Sequence, residues 1–238
     1  MSHPVATDCR IYLGSFDLSG DSNSVDLAVG TKGVPNNYFG KTYESELAGL
    51  RHWSMGAAGL LTLDDAGSAE MLHGKWNRPA APVSVQPTGI DGEVAYFGAA
   101  FQGDFARNGS VGDALKWTLG GASTDRLVRG TVMHTKASRA ATGNGTGFQL
   151  GALTAAQSLY AALHVFSAPG TSLIVTVQSD DNSGFTSATT RITFATVTTT
   201  IAAELKSVAG AITDGWWRIV YTITGTGPYV FAAAAGII

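Results

Sequence analysis

The chain of 238 residues is short of charge, of cysteine and of proline, and each scarcity narrows what it can be. Lys, Arg, Asp and Glu together make up 14% of it, well under the roughly 25% of an ordinary soluble domain. So neutral a surface serves a lone monomer poorly and suits a chain that is largely covered by copies of itself. The one cysteine, Cys9, excludes an internal disulfide, argues against a cysteine metal cluster and fits folding in a reducing cytosol. No apolar run approaches the roughly 18 residues that would span a bilayer, so no membrane partner is expected. The stretch from Met1 to Asp8 lacks the basic-then-apolar pattern of a secretory signal. Up to Gly130, 10 Lys and Arg stand against 14 Asp and Glu; beyond it, 5 stand against 4. With no basic stripe to neutralise phosphates, the acid-rich first half does not read nucleic acid.

Hydrophobic residues are 45% of the chain, enough for two cores, and the 30 glycines fall between short alternating segments. Strands are expected at Cys9–Leu13, Ser24–Val29, Trp53–Leu63, Val94–Phe105, Leu115–Gly120 and Leu127–Met133. They continue at Ser158–Phe166, Ser172–Gln178, Arg191–Phe194, Trp216–Ile223 and Tyr229–Ala234. Recurrence at this spacing implies a mainly β fold of sandwiches or barrels. One short helix is expected at about 65–73, where Asp64-Asp65 would cap its start and Gly74 end it, and a weaker one at Ala202–Ser207. Domain 1–135 would be joined by a linker or hairpin at 136–147 to a second domain at 148–238.

Gly30–Gly49 has no clear periodicity. Twenty residues without regular structure in a compact domain need a reason. The segment is either a wandering surface loop or an arm ordered on a neighbouring subunit, in which case Pro35, Asn36, Asn37, Tyr38, Phe39 and Tyr43 would make the contact.

A search for chemistry assigns no catalytic, cofactor-binding or metal-ligating residue. The histidines at 3, 52, 73, 134 and 164 lack ligand spacing, and His164, on an alternating strand, reads as a sheet-surface or satisfied core residue. There is no nucleophile elbow and no His-Glu-x-x-His, and Gly143–Gly147 lacks the Lys and helix of a phosphate loop. Asp180-Asp181-Asn182-Ser183-Gly184 reads as a turn, with calcium binding the alternative. Trp216 and Trp217 must point to opposite sides of a strand, one to the core and the other to solvent, a partner or a sugar ring.

Ile11 to Val25, which runs strand, Gly14, apolar-Asp17-Leu18-Ser19-Gly20 turn and strand, resembles the start of phage tail tube (major tail) proteins. Phe39-Gly40, then Gly49 to Ser54, is similar to that family's loop and re-entering strand, and Ser110 to Gly121 to a later strand. The resemblance covers about 8–130. It implies a tail-tube-like β-sandwich or barrel with one flanking helix, assembling with itself into hexameric rings, or into trimers with pseudo-six-fold symmetry. The rings would stack around a lumen that holds a tape measure protein and later passes DNA without binding it. Tail terminator and baseplate or tip proteins would be further partners, with assembly in the host bacterial cytoplasm and a final place in the virion tail. The rest of the chain looks like an added jelly-roll or immunoglobulin-like sandwich. The alternatives are a capsid decoration or other virion structural protein, and a carbohydrate-binding adhesin module; no enzyme is expected.

Overall fold

The computed structural model describes residues 8–63, 68, 73 and 80–238. The chain is nearly all β. In order the strands are β1 (Arg10–Leu13), β2 (Phe16–Asp17), β3 (Ser22–Pro35), β4 (Glu46–Leu60), β5 (Ala81–Gln86), β6 (Val94–Asn108), β7 (Lys116–Ser123) and β8 (Val128–Arg139). They continue as β9 (Gly143–Asn144), β10 (Phe148–Gln149), β11 (Ser158–Ser167), β12 (Ser172–Asp180), β13 (Thr189–Thr193), β14 (Ala203–Ala209), β15 (Trp216–Thr224) and β16 (Tyr229–Ile237). Two compact units result. One takes the described residues of Met1–Gly20, Ala81–Ala99 and Leu127–Ile238, the other those of Asp21–Ala80 and Ala100–Arg126.

In the larger unit β14, β11, β16, β8, the first part of β6, β5, β1 and β2 are neighbours in that order. A second sheet runs β10-β15-β12-β13, with β9 also on β15. The main core lies between them: Leu173, Val175 and Val177 of β12 with Trp217 and Ile219 of β15 meet Leu159, Leu163 and Val165 of β11 and Phe231 of β16. Period two on β12 and β15 follows, because one face of each strand is buried and the other is not. Strand β16 breaks that rule for a physical reason. Ala233 and Ala235 face this core, while Ala234 faces Ala95, Phe97 and Val128 on the other side. With both faces packed, Ala232–Ala235 are all buried, and small side chains let the layers on either side approach.

The smaller unit is built on β3 pairing β4, β4 pairing β7, and residues 100–108 of β6 pairing β7. Its core is Trp53, Met55, Ala57, Trp117 and Leu119 on one face. Both indoles are satisfied by backbone: Trp53 Nε1 donates to the Asp125 carbonyl at 2.7 Å and Trp117 Nε1 to that of Leu60 at 2.9 Å. That matters because an unpaired buried N–H would cost about 1–3 kcal/mol.

Two expectations change. Ala202–Ser207 is no helix: Ala203–Ala209 is β14, antiparallel to β11 from Ser158↔Ala209 to His164↔Ala203. Its helix-forming residues are overridden by pairing. Half of Gly30–Gly49 is strand, for β3 runs on to Pro35 and β4 begins at Glu46. Neither face of this ribbon is covered, and register shifts at Thr31/Gly33 interrupt it, so no alternation marks it in the sequence. In the stretch 136–147, expected as a linker or hairpin, Lys136–Arg139 closes β8 against β16 and Gly143-Asn144 is β9. The helix expected at about 65–73 lies outside the described residues, apart from Ser68 and His73, which are helical.

Candidate assembly surface

The β3–β4 ribbon projects past the sheet. Strand β7 accompanies β4 only over Ser54–Leu60, whereas β3 and β4 stay paired to Pro35↔Glu46. Residues 36–45 close the tip through their own polar groups. Asn36 N–H donates to the Ser45 carbonyl at 2.8 Å and Ser45 N–H to Asn37 Oδ1 at 2.9 Å. The Lys41 ammonium sits inside the loop, donating to the Asn36 carbonyl and to Ser45 Oγ, and lies 4.8 Å from the centre of the Tyr38 ring. Backbone polar groups thus turn inward and the rings turn outward: Tyr38, Phe39 and Tyr43 are 68%, 107% and 81% exposed. Asn36 and Asn37 close the loop, and Pro35 ends β3. The surface extends down the ribbon through Val29, Val34, Leu47 and Leu50, all exposed. Val34, Leu47 and Leu50 were not singled out in the sequence, because exposed and buried Val or Leu look alike without a period.

At the other end of the same strands, Leu60, Leu63, Val111 and Leu115 are also exposed. Leu61 N–H holds the Leu115 carbonyl at 2.9 Å, which keeps the end of β4 beside the start of β7. One unit therefore carries apolar surface at both ends. Single exposed apolar residues need no explanation, but clusters mark contact sites.

Between the ends, the solvent face of the sheet is small and acidic. Successive cross-strand rows read Ala28, Ser54, Ala122 and the exposed Phe101; then Asp26, Gly56, Gly120 and Asp104; then Ser24, Ala58, Thr118 and Ala106. Asp104 Oδ2 would lie 3.4 Å from a Cβ on Gly120, and Asp26 Cβ 3.7 Å from one on Gly56. Both carboxylates lean over glycine. Apart from the Phe101 ring the side chains of this face are short, and its two carboxylates repel phosphate.

Elsewhere, Trp217 is fully buried and donates its indole N–H to the Gly151 carbonyl at 2.9 Å, while Trp216 is half-buried on the opposite face. The Asp180–Gly184 segment is a turn. The buried Asp180 carboxylate accepts Ser187 N–H at 2.9 Å and Asn182 N–H at 3.2 Å. His164 lies in the core with both ring nitrogens bonded.

No protein-family model matches the chain, and no curated protein matches it. Solved structures do. One is a chain of the virion of a native gene transfer agent particle, and another belongs to the tail of an empty gene transfer agent particle with C6 symmetry. Each is 17% identical, with 52% of this chain and 97% of the other covered and a TM-score of 0.39. A third is the Dit protein of phage SPP1, described as a hub adsorption apparatus of phages infecting Gram-positive bacteria. It is 8% identical, with 97% of this chain and 99% of that one covered and a TM-score of 0.37. At these scores the likeness is distant, and what the chain does must rest on its own residues.

Proposed function

We propose that the chain is a structural virion protein, and within that class a tail tube subunit that forms stacked rings around a lumen. The carrying observation is the β3–β4 ribbon: a folded hairpin with inward polar groups and an outward Tyr38-Phe39-Tyr43 tip is built to contact something. A neighbouring copy supplies a matching surface at Leu60, Leu63, Val111 and Leu115. Because the two patches sit at opposite ends of one sheet, tip-to-base contact is heterologous. Such a contact leaves one patch free at each end, and with a rotation that closes no ring it grows along an axis. Strand β3 pairs only with β4 among the described residues, which leaves an edge that sideways pairing with another copy would close. The small, acidic face then lines the lumen, where like charge lets DNA slide past. The tape measure protein, tail terminator and baseplate or tip proteins are the further partners.

Negative-stain electron microscopy of the concentrated protein tests this. Hollow tubes with a regular axial repeat are expected, and their end views count the ring. Discrete monomers or trimers that persist after adding sheared tube or tail fragments as seeds would overturn it.

A further inference from the structure

The outward face of the second sheet carries a side-chain cluster that tube assembly leaves unused. Trp216 and Arg218 lie two residues apart on β15 and point the same way, with the buried Trp217 between them pointing inward. Across the sheet Arg218 stands opposite Gln178, and Gln149 opposite Trp216. Arg218 Nε and Nη2 both donate to Gln178 Oε1, at 3.1 and 2.9 Å. The guanidinium also lies 4.3 Å from the centre of the Phe185 ring. Amide and ring together fix the plane of the fork, and Nη1 makes no hydrogen bond among the described residues.

Phe185 is held there under strain. Its φ is +51°, and among the described residues it is the one non-glycine in the left-handed region, which bulky side chains rarely enter. The loop is fixed by Asp180, whose carboxylate takes Ser187 N–H and Asn182 N–H. Gly147 makes room for it, since a Cβ there would meet Phe185 Cε2 at 2.4 Å. Local strain persists only where the surroundings over-determine it, and it concentrates at binding sites. A brace for the loop alone would need neither Trp216 nor the free edge of the fork.

We propose that this face binds a saccharide. The half-buried Trp216 ring offers a flat apolar surface to the C–H face of a pyranose. Arg218 presents its Nη1 hydrogens to adjacent hydroxyls, and the exposed Gln149 amide supplies both a donor and an acceptor. The charge pattern selects the class. Arg218 is the cluster's one cation, and the nearby Asp180 carboxylate is buried and taken up by backbone. A neutral polyol fits that balance, whereas a phosphate-rich ligand would call for several cations.

Saturation-transfer NMR on the full chain, with galactose, glucose, rhamnose and N-acetylglucosamine as probes and inorganic phosphate as the control, decides it. At least one sugar should receive saturation on its ring protons with a millimolar dissociation constant, weakened about tenfold by Trp216→Ala and by Arg218→Lys. Arg218→Lys keeps the charge and loses the fork. Since Arg218 also braces Phe185, Gln149→Ala at an exposed position gives a measure free of folding effects, and it should weaken the same sugar. No transfer to any of the four sugars, undiminished transfer in Trp216→Ala, or phosphate binding in place of sugar would each overturn the assignment.

Discussion

Ser84 donates its hydroxyl hydrogen to Nε2 of His164 at 2.7 Å, and Nδ1 of the same ring donates to the Gly14 carbonyl, also at 2.7 Å. The tautomer follows from the second contact, since a carbonyl only accepts. In an open cleft a serine on a histidine would be a nucleophile and its base. Here both residues have no exposed surface, so the pair holds β11 to β5 and to the turn after β1.

Burial pulls the His164 pKa down from 6.5 to about 4, against the smaller opposing effects of the Gly14 bond and Asp17. An unfolded chain takes up the proton near pH 6.5 and the folded one only near pH 4. Between those values the unfolded state binds more protons, so stability falls as pH falls. The loss should approach about 3 kcal/mol by about pH 4. Urea unfolding of the native chain and of His164→Asn across that window measures it; equal slopes with pH in both would refute the assignment.

Trp217 and Trp216 should differ sharply in weight. Trp217→Ala removes a fully buried indole and orphans the Gly151 carbonyl, which should cost about 3–5 kcal/mol. Trp216→Ala should cost about 1 kcal/mol or less. Denaturant midpoints at unchanged m-value are the readout, and comparable losses would mean the two faces have been misassigned.

Overpacking should be costly on β16. Ala234→Leu pushes a branched side chain against Phe97 and Val128, and about 1–3 kcal/mol should be lost. Ala28→Leu, on an exposed position of β3, should stay within about 0.5 kcal/mol. Thermal melts of the two variants make the comparison.

The tip should matter for assembly and not for folding. Phe39→Ser combined with Tyr43→Ser changes two exposed rings, so stability should move by about 0.5 kcal/mol or less. Polymer formation, followed by sedimentation and microscopy, should be abolished. Normal tubes from the double variant would remove the ribbon from the interface.

Strands with one buried face were legible in the sequence: Leu173, Val175 and Val177 alternate on β12 because only one side of that strand meets the core. Strand β5 was missed, since five of its six residues are buried and no alternation remains. Strand β14 looked helical because Ala, Glu, Leu and Lys favour a helix until a partner strand decides otherwise. Tyr38, Phe39 and Tyr43 were named only as candidate contacts of an irregular segment, and the ribbon under them was not legible, as a two-stranded hairpin open on both faces has no pattern to show. The two units were hidden for another reason. Each is assembled from segments far apart in the chain, and composition along the chain cannot reveal which segments meet.

Strand β16 lies between β8 and β11, hydrogen-bonded to both. In a nascent chain the ribosome delivers it after every other strand described here, although it occupies the middle of its sheet. Until Tyr229–Ile237 has emerged, β8 and β11 have no common neighbour, and the edge of each that pairs with β16 waits open. Residues 21–126 contain the whole of the smaller unit and are synthesised well before that moment. Vectorial synthesis therefore lets the ribbon-bearing unit form first and leaves the sandwich as the late step, with the long-range pairing that slows folding.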